Sequence, residues 1–207
     1  MIKSNSSTDD SGWTSIGNIT PGVYNLLDLT GGVNVILADN EVPSGFLGQI
    51  RLILGDDNTV VKDGVTYPLN TPSAQQSGLK LKVNQNLEPG VTYDFLLDFD
   101  VAHSVVVEAG GSGNYNLHPV IRVVTETTSG VITGTVAPLG IQVEAAVQVG
   151  DVTVTAYTND SGMFQLNGIP SGTYTVTLTP DPDSGLLPIT VENVIVVNGE
   201  VTNIGSL

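Results

Sequence analysis

The chain of 207 residues contains no cysteine. Without thiols it can form no disulfide, no thiolate nucleophile and no cysteine-ligated zinc site. Basic residues are also scarce: six Lys and Arg stand against 21 Asp and Glu, which gives a net charge of −15. Such a surface repels phosphate backbones and anionic lipid headgroups, so we expect neither nucleic acid nor a bare membrane surface as a partner.

Long apolar runs are missing as well. No stretch approaches the roughly 18 residues of a membrane span, and no basic-then-apolar leader opens the chain. The first twelve residues, MIKSNSSTDDSG, are polar and loop-like. Two alternatives follow: the protein is cytosolic, or it is exported and its leader is not part of this sequence. Charged residues make up only 13% of the chain, so Thr, Ser, Asn and Gln must supply the polar surface, a habit common in exported β-proteins.

Helical periodicity is nearly absent, and residues 33–38 are the best helix candidate. Elsewhere, β-branched runs alternate with small-residue turns at a period of two, which predicts strands and an all-β fold. The predicted strands are residues 23–27, 49–54, 65–67, 79–83, 91–99, 104–107, 116–124, 131–137, 151–158, 162–166, 173–178, 189–197 and 200–204.

Turn sequences divide this pattern. Lys62-Asp63-Gly64 predicts a tight hairpin, because Asp-Gly tolerates positive φ. Glu88-Pro89-Gly90 predicts a second hairpin, between strands 79–83 and 91–99. Residues 125–130 (TETTSG) are small and polar, which is typical of a linker. We therefore predict two β-sandwich-like domains in tandem, residues 1–127 and residues 131–207.

Residues 131–207 resemble the carboxypeptidase regulatory-like domain. The motifs that carry the resemblance are VITGTV (131–136), DVTVTA (151–156), TNDSGMF (158–164) and NGIPSGTY (167–174). The resemblance implies a transthyretin-like β-sandwich that acts as a stabilising or spacer module without catalysis of its own. Phe164, Ile169 and Tyr174 would then close one end of its core.

The first part resembles the bacterial lipoprotein module catalogued as domain-of-unknown-function family 4382. The matching blocks, in family order, are ITPGVYNLLDL (19–29), GQIRLIL (48–54), GVTYPL (64–69), SGLKL (77–81), LLDFD (96–100) and HPVIRV (118–123). The resemblance implies an exported protein of the outer membrane, cell surface or periplasm, held to the membrane only by a lipid anchor absent from this chain. No activity comes with it.

That family usually opens with additional strand sequence. If this chain starts after such a strand, an exposed sheet edge is left. We expect a homodimer formed by strand exchange to cover this edge.

Three carboxylates, those of Asp94, Asp98 and Asp100, share one face of the predicted strand 91–100. Clustered carboxylates can bind Ca²⁺, the one cofactor that the sequence suggests, although the loop spacing of an EF-hand is absent. The alternative is a solvated face on which Lys80 pairs with Asp94 across the predicted hairpin.

Two arginines, Arg51 and Arg122, lie inside apolar strand runs. Buried guanidinium groups need carboxylate partners, and Asp98, Asp100 or Asp28 could provide them. The functional alternative is an anion or glycan pocket around one arginine.

Aromatic residues make up only 5% of the chain. Trp13, Tyr67 and Tyr115 are the candidates for an exposed platform that stacks against a sugar. The alternative for a lone Trp near a chain start is a plug in the core.

Catalytic groupings are poorly developed. His103 and Ser104 are adjacent, so on a strand they would point to opposite faces, and no Gly-x-Ser-x-Gly elbow exists. A hydrolase or metal-dependent enzyme would need Asp98, Asp100, His103 or His118 to converge around a cleft. We therefore expect a non-catalytic exported module for adhesion, scaffolding or ligand capture, with a surface protein or glycan as partner. The alternatives are a glycan-binding accessory protein and that enzyme.

Overall fold

The computed structural model describes residues 1–17, 19, 21–71, 77–107, 114–125 and 128–207. It confirms the predicted all-β class: strands dominate, and the described residues form no helix of seven or more residues. No helix in this part of the chain is long and apolar enough to cross a membrane. Residues 126–127 of the predicted linker lie outside the described residues.

The chain divides into two compact units. The N-terminal unit comprises Met1–Tyr24, Ile36–Tyr93 and Leu97–Val123, and the C-terminal unit comprises Asn25–Val35, Asp94–Leu96 and Val124–Leu207. The strands are β1 Ile2–Lys3, β2 Gly45–Leu52, β3 Thr59–Lys62, β4 Val65–Asn70, β5 Leu79–Leu87, β6 Phe95–Asp100, β7 Val105–Val107, β8 Tyr115–Leu117, β9 Val120–Thr125, β10 Gly130–Thr135, β11 Val143–Val149, β12 Val152–Tyr157, β13 Met163–Ile169, β14 Gly172–Pro180, β15 Ile189–Val196 and β16 Val201–Ser206.

Small sheets build the first part of the chain. One has the order β1-β2-β5, a second the order β3-β4-β8-β7, and β6 pairs with β9. The predicted hairpin at Lys62-Asp63-Gly64 is confirmed, because Lys62 pairs with Val65 and both turn residues have positive φ. A small core forms where Leu69, Tyr115 and Leu117 pack together.

Several predictions for this part are wrong. Residues 33–38 are not helical, and residues 23–27 are not a strand; a single 3₁₀ turn, Leu26–Leu29, occupies this region instead. Asn25 starts the turn by accepting a hydrogen bond from the Leu27 amide at 3.3 Å. The turn at residues 88–90 does not close a hairpin, because β5 pairs with β2 and not with β6.

The C-terminal unit contains a sandwich of two sheets. Their orders are β13-β10-β16 and β12-β11-β14-β15. Both sheets contribute to one core: Ile132 and Phe164 from the first and Ala145 and Val176 from the second are fully buried. The inward residues alternate with outward polar ones, which is the period-two burial that the sequence predicts.

Strand β11 was not predicted from the sequence. Its segment, VEAAVQV, has alanine at two of seven positions, and alanine has low β propensity. In the fold it lies between β12 and β14, and Val143, Ala145 and Val147 point into the core. The burial of these small side chains, which only the tertiary structure provides, makes the segment a central strand.

Candidate functional site

One face of the sheet β1-β2-β5 gathers most of the positive charge of the chain. Lys3 lies opposite Gln49, Gln49 opposite Lys82, and Arg51 opposite Lys80. Residues directly opposite each other, or two apart on one strand, share a face. Four of the six basic residues therefore lie on this surface, which we call the basic face.

Lys3 is buried in this face, with only 2% of its surface exposed. Its ammonium donates to the carbonyl oxygens of Ser7 at 3.2 Å and Asp9 at 2.8 Å, and to Oδ1 of Asp9 at 3.2 Å. A buried charge is tolerated only when it is paired and hydrogen-bonded. Residues 5–11, which we call the acidic loop, supply those oxygens and fold over the ammonium.

The acidic loop is further held by side chains. Gln49, which is itself buried, donates to the carbonyl oxygens of Asn5 at 3.0 Å and Ser7 at 2.9 Å. Asp9 accepts bonds from Ser11, from the Ser7 hydroxyl and from Lys3, and these contacts hold the pKa of its carboxyl far below the usual range. This arrangement makes the loop a fixed cover on the basic face.

Asp10, also in the acidic loop, contacts the part of the basic face that β2 and β5 form. Its Oδ1 is 2.8 Å from Nζ of Lys80 and 3.9 Å from Nη2 of Arg51. The hydrogen bond from Lys80 is the main reason that the pKa of Asp10 is lowered, and the charge of Arg51 adds to it. The predicted partners of Lys80 and Arg51 are therefore wrong: Lys80 pairs with Asp10, not with Asp94, and Asp10 is also the carboxylate beside Arg51. Nothing in the sequence pattern pointed to Asp10.

Trp13 lies beneath two cations. Nζ of Lys3 is 5.6 Å and Cζ of Arg51 is 5.2 Å from the centre of its ring, both within cation–π distance. Its Nε1 and the Nε of Arg51 are buried without an acceptor among the described residues. The ring is half-buried, so it is closer to the core plug that we considered than to an open sugar platform.

The other two residues of the predicted glycan platform, Tyr67 and Tyr115, pack against each other. Tyr115 is only 6% exposed and belongs to the small core with Leu69 and Leu117. Tyr67 packs on it with ring centres 5.1 Å apart. The prediction of an exposed platform is wrong for Tyr115, because the core it helps to form leaves its ring no access to a ligand.

Asp98 pairs with Arg122, as the sequence predicts. The two side chains form a salt bridge, and each is about one-quarter exposed. Burial raises the pKa of Asp98, and the positive charge of Arg122 offsets only part of that effect. This arginine is thus used to neutralise a buried carboxylate within the fold.

The raised pKa of Asp98 gives a pH prediction. The folded state holds this proton more tightly than the unfolded chain, so the contribution of Asp98 to stability falls as pH rises from 3.8 through the folded pKa. The lowered pKa values of Asp9 and Asp10 act in the opposite direction below about pH 5, and the lowered pKa of the Met1 amine does so below 8.0. Both contributions are shared by Asp98→Asn, so urea unfolding followed by Trp13 fluorescence between pH 4 and 7 should give a more negative slope of stability against pH in the native chain than in that variant. An unchanged slope in that variant would contradict the prediction.

Asp100, His103 and Ser104 are brought together by a single helical turn, Val101–Ser104. Asp100 begins the turn: one carboxylate oxygen accepts from the His103 amide and the other lies 2.8 Å from His103 Nδ1. Ser104 is completely buried, and its hydroxyl donates to the Asp100 carbonyl and accepts from the Val120 amide at 2.9 Å. Ser104 is therefore occupied in linking the turn to β9.

Ser104→Ala should lower the free energy of unfolding of the N-terminal unit by about 1–3 kcal/mol, because the part-buried Asp100 carbonyl and Val120 amide both lose the buried hydroxyl as a partner. Chemical denaturation with Trp13 fluorescence measures it. Ser15→Ala, at an exposed position of the same unit, should change stability by less than about 0.5 kcal/mol. Equal effects in the two variants would be inconsistent with a structural role for Ser104.

The three aspartates predicted to bind calcium have different positions and partners in the structure. Asp94 precedes β6, Asp98 pairs with Arg122, and Asp100 caps the helical turn. The described residues contain no group of three or more His, Asp or Glu side chains that could hold a metal ion. His118 is exposed and donates its amide to the Ser104 carbonyl at 2.8 Å.

Comparison with known proteins bears on the N-terminal part. No curated protein matches the chain. The pattern of one family, described as a domain of unknown function (DUF4382), matches residues 1–119. This range contains the basic face, the acidic loop and the turn at residues 101–104. Because the match covers more than half of the 207 residues, the chain belongs to the DUF4382 family.

Proposed function

We propose that the protein is a non-catalytic module of an exported bacterial lipoprotein, used for adhesion, scaffolding or ligand capture. The main support is that four polar side chains of the N-terminal part, which could otherwise bind or react, are bonded to other groups of the fold. Lys3 and Gln49 fix the acidic loop, Ser104 links a turn to a strand, and Arg122 neutralises Asp98.

The C-terminal unit fits a spacer role within this proposal. Its core is built from aliphatic side chains and Phe164, and its buried polar side chains include Thr158, whose hydroxyl accepts from the Val143 amide at 3.0 Å. Such a sandwich holds its shape without a ligand. We propose that it is the carboxypeptidase regulatory-like domain that its motifs resemble, and that the partner of the whole protein is a surface protein or glycan.

Cell fractionation tests the location. The gene with its natural upstream region should be expressed in the bacterium that encodes it, and the protein followed by immunoblot and by palmitate labelling. We expect the labelled protein in the membrane fraction. A soluble, unlabelled cytosolic protein would overturn the export and lipoprotein part of the proposal.

A substrate screen tests the absence of catalysis. The purified chain should be assayed on ester, peptide, glycoside and phosphoester substrates, with and without added Ca²⁺ and Zn²⁺. We expect no turnover above a heat-denatured sample. Turnover that Asp100→Asn or His103→Gln abolishes would favour the alternative of a hydrolase or metal-dependent enzyme.

A further inference from the structure

The two edges of the sheet β1-β2-β5 differ in whether another segment of the described chain covers them. At the β1 edge, Ile2 and Thr14 exchange two backbone hydrogen bonds of 2.8 Å, so that edge is covered. At the opposite edge lies β5, a nine-residue strand whose pairing partner in the described part of the chain is β2 alone. A bulge interrupts β5 after Lys82, where Asn84 has a φ of 56°. The outward amides and carbonyls from Leu79 to Lys82, before this bulge, are a template for one more strand.

The cations of the basic face differ in whether a carboxylate pairs with them. Lys3 is matched by Asp9, and Arg51 and Lys80 are matched by Asp10. Lys82 is exposed and has no ion pair among the described residues. The chain therefore supplies carboxylates to the other three cations of the face and leaves Lys82, on the edge strand, with its charge directed to solvent.

We propose that β5 is a docking edge for an extended, acidic peptide segment of a partner protein, which adds to the sheet as a fourth strand. The proposal rests on the binding role proposed above and names the chemistry of the partner. Backbone hydrogen bonds to β5 would hold the segment, and an acidic side chain facing Lys82 would select it.

A single lysine supplies this selectivity. Lys80 is already bonded to Asp10 of the same chain, so Lys82, two residues further along the same face of β5, is the cation that an added strand would meet. Lysines on an edge strand also discourage pairing with ordinary strands, so the same charges reject neutral or basic segments.

The test is peptide binding to the full chain, measured by fluorescence anisotropy. The probe is a labelled peptide of alternating Thr and Glu, seven residues long. Two controls match it: a peptide of alternating Thr and Lys, and the Thr-Glu peptide N-methylated at alternate residues, which cannot donate along one edge. We expect saturable binding of the first peptide only, together with slowed amide exchange within Leu79–Leu87.

Variants separate this docking from general charge attraction. Lys82→Gln should weaken binding of the acidic peptide by about 1.4- to 5-fold, the loss of one cross-strand ion pair. Lys82→Glu should shift the preference toward the Thr-Lys peptide. Lys62→Gln, at an exposed lysine of β3, should leave the affinity unchanged.

Three results would overturn the inference: equal binding of the acidic and basic peptides, equal binding of the N-methylated peptide, or no binding at all. None of these results would contradict the proposed export or the proposed absence of catalysis. Those two proposals are tested separately, by the fractionation and by the substrate screen. If the acidic peptide binds and the fractionation finds the protein in the cytosol, the docking edge is supported and the proposed location is refuted.

Discussion

Phe164→Ala should lower the free energy of unfolding of the C-terminal unit by about 3–5 kcal/mol, the usual cost of removing a buried aromatic ring. Phe164 is fully buried and lies opposite Gly134 across β10 and β13. A Cβ placed on Gly134 would lie 2.7 Å from Cζ of the ring, so the ring fills the space left by the missing side chain. Calorimetry of the full chain would measure the loss as a lower transition temperature for this unit.

Met163→Ala is the matched control, because Met163 is the preceding residue on β13 and is 41% exposed. Its substitution removes a side chain of similar size from the outer face, and we expect a loss of less than about 1 kcal/mol. A loss in Phe164→Ala no larger than in this control would mean that the ring does not hold the two sheets together.

Lys3→Met should lower the free energy of unfolding of the N-terminal unit by about 2–3 kcal/mol. The methionine keeps most of the apolar stem but removes three donated hydrogen bonds, and bonds made by a charged group contribute more than neutral ones. The carboxylate of Asp9 remains half-exposed to water, which limits the loss. Trp13 is the single tryptophan of the chain and lies beside Lys3, so urea unfolding followed by its fluorescence reports on this unit.

Lys62→Met is the control for this experiment. It removes an exposed lysine from β3 in the same unit, and surface substitutions of this kind change stability by less than about 0.5 kcal/mol. If Lys3→Met is as stable as the control and its tryptophan emission is unchanged, the acidic loop does not depend on the buried ammonium.

The strand pattern was predictable where β-branched residues alternate with polar ones. Predicted strand 131–137 overlaps β10, which ends at Thr135, and predicted strand 173–178 lies within β14, because each segment carries its own period-two pattern. The pattern failed where residue type and environment disagree. β11 contains two alanines and was missed, and residues 33–38, which are rich in Val and Ile, form neither a helix nor a strand.

The candidate site was predictable only in part. A guanidinium inside an apolar strand needs a carboxylate partner, and Asp98, which pairs with Arg122, was one of the three aspartates predicted as candidate partners. The same reasoning failed for Arg51, because its nearest carboxylate, Asp10, lies in a loop with no strand or motif signal of its own. That loop reaches the sheet because Lys3 and Gln49 bind its carbonyl oxygens.

The sequence by itself determined the all-β class and most of the inward-facing residues, because the side chains of a strand alternate between two faces whatever the strand pairs with. The tertiary structure decided which strands meet. β5 pairs with β2, some 30 residues earlier, and not with β6, the next strand along the chain. That choice sets Lys80 opposite Arg51 and beside Asp10, and it leaves β5 at an edge. Pairing between distant strands depends on register and on the loops between them, which no local pattern encodes.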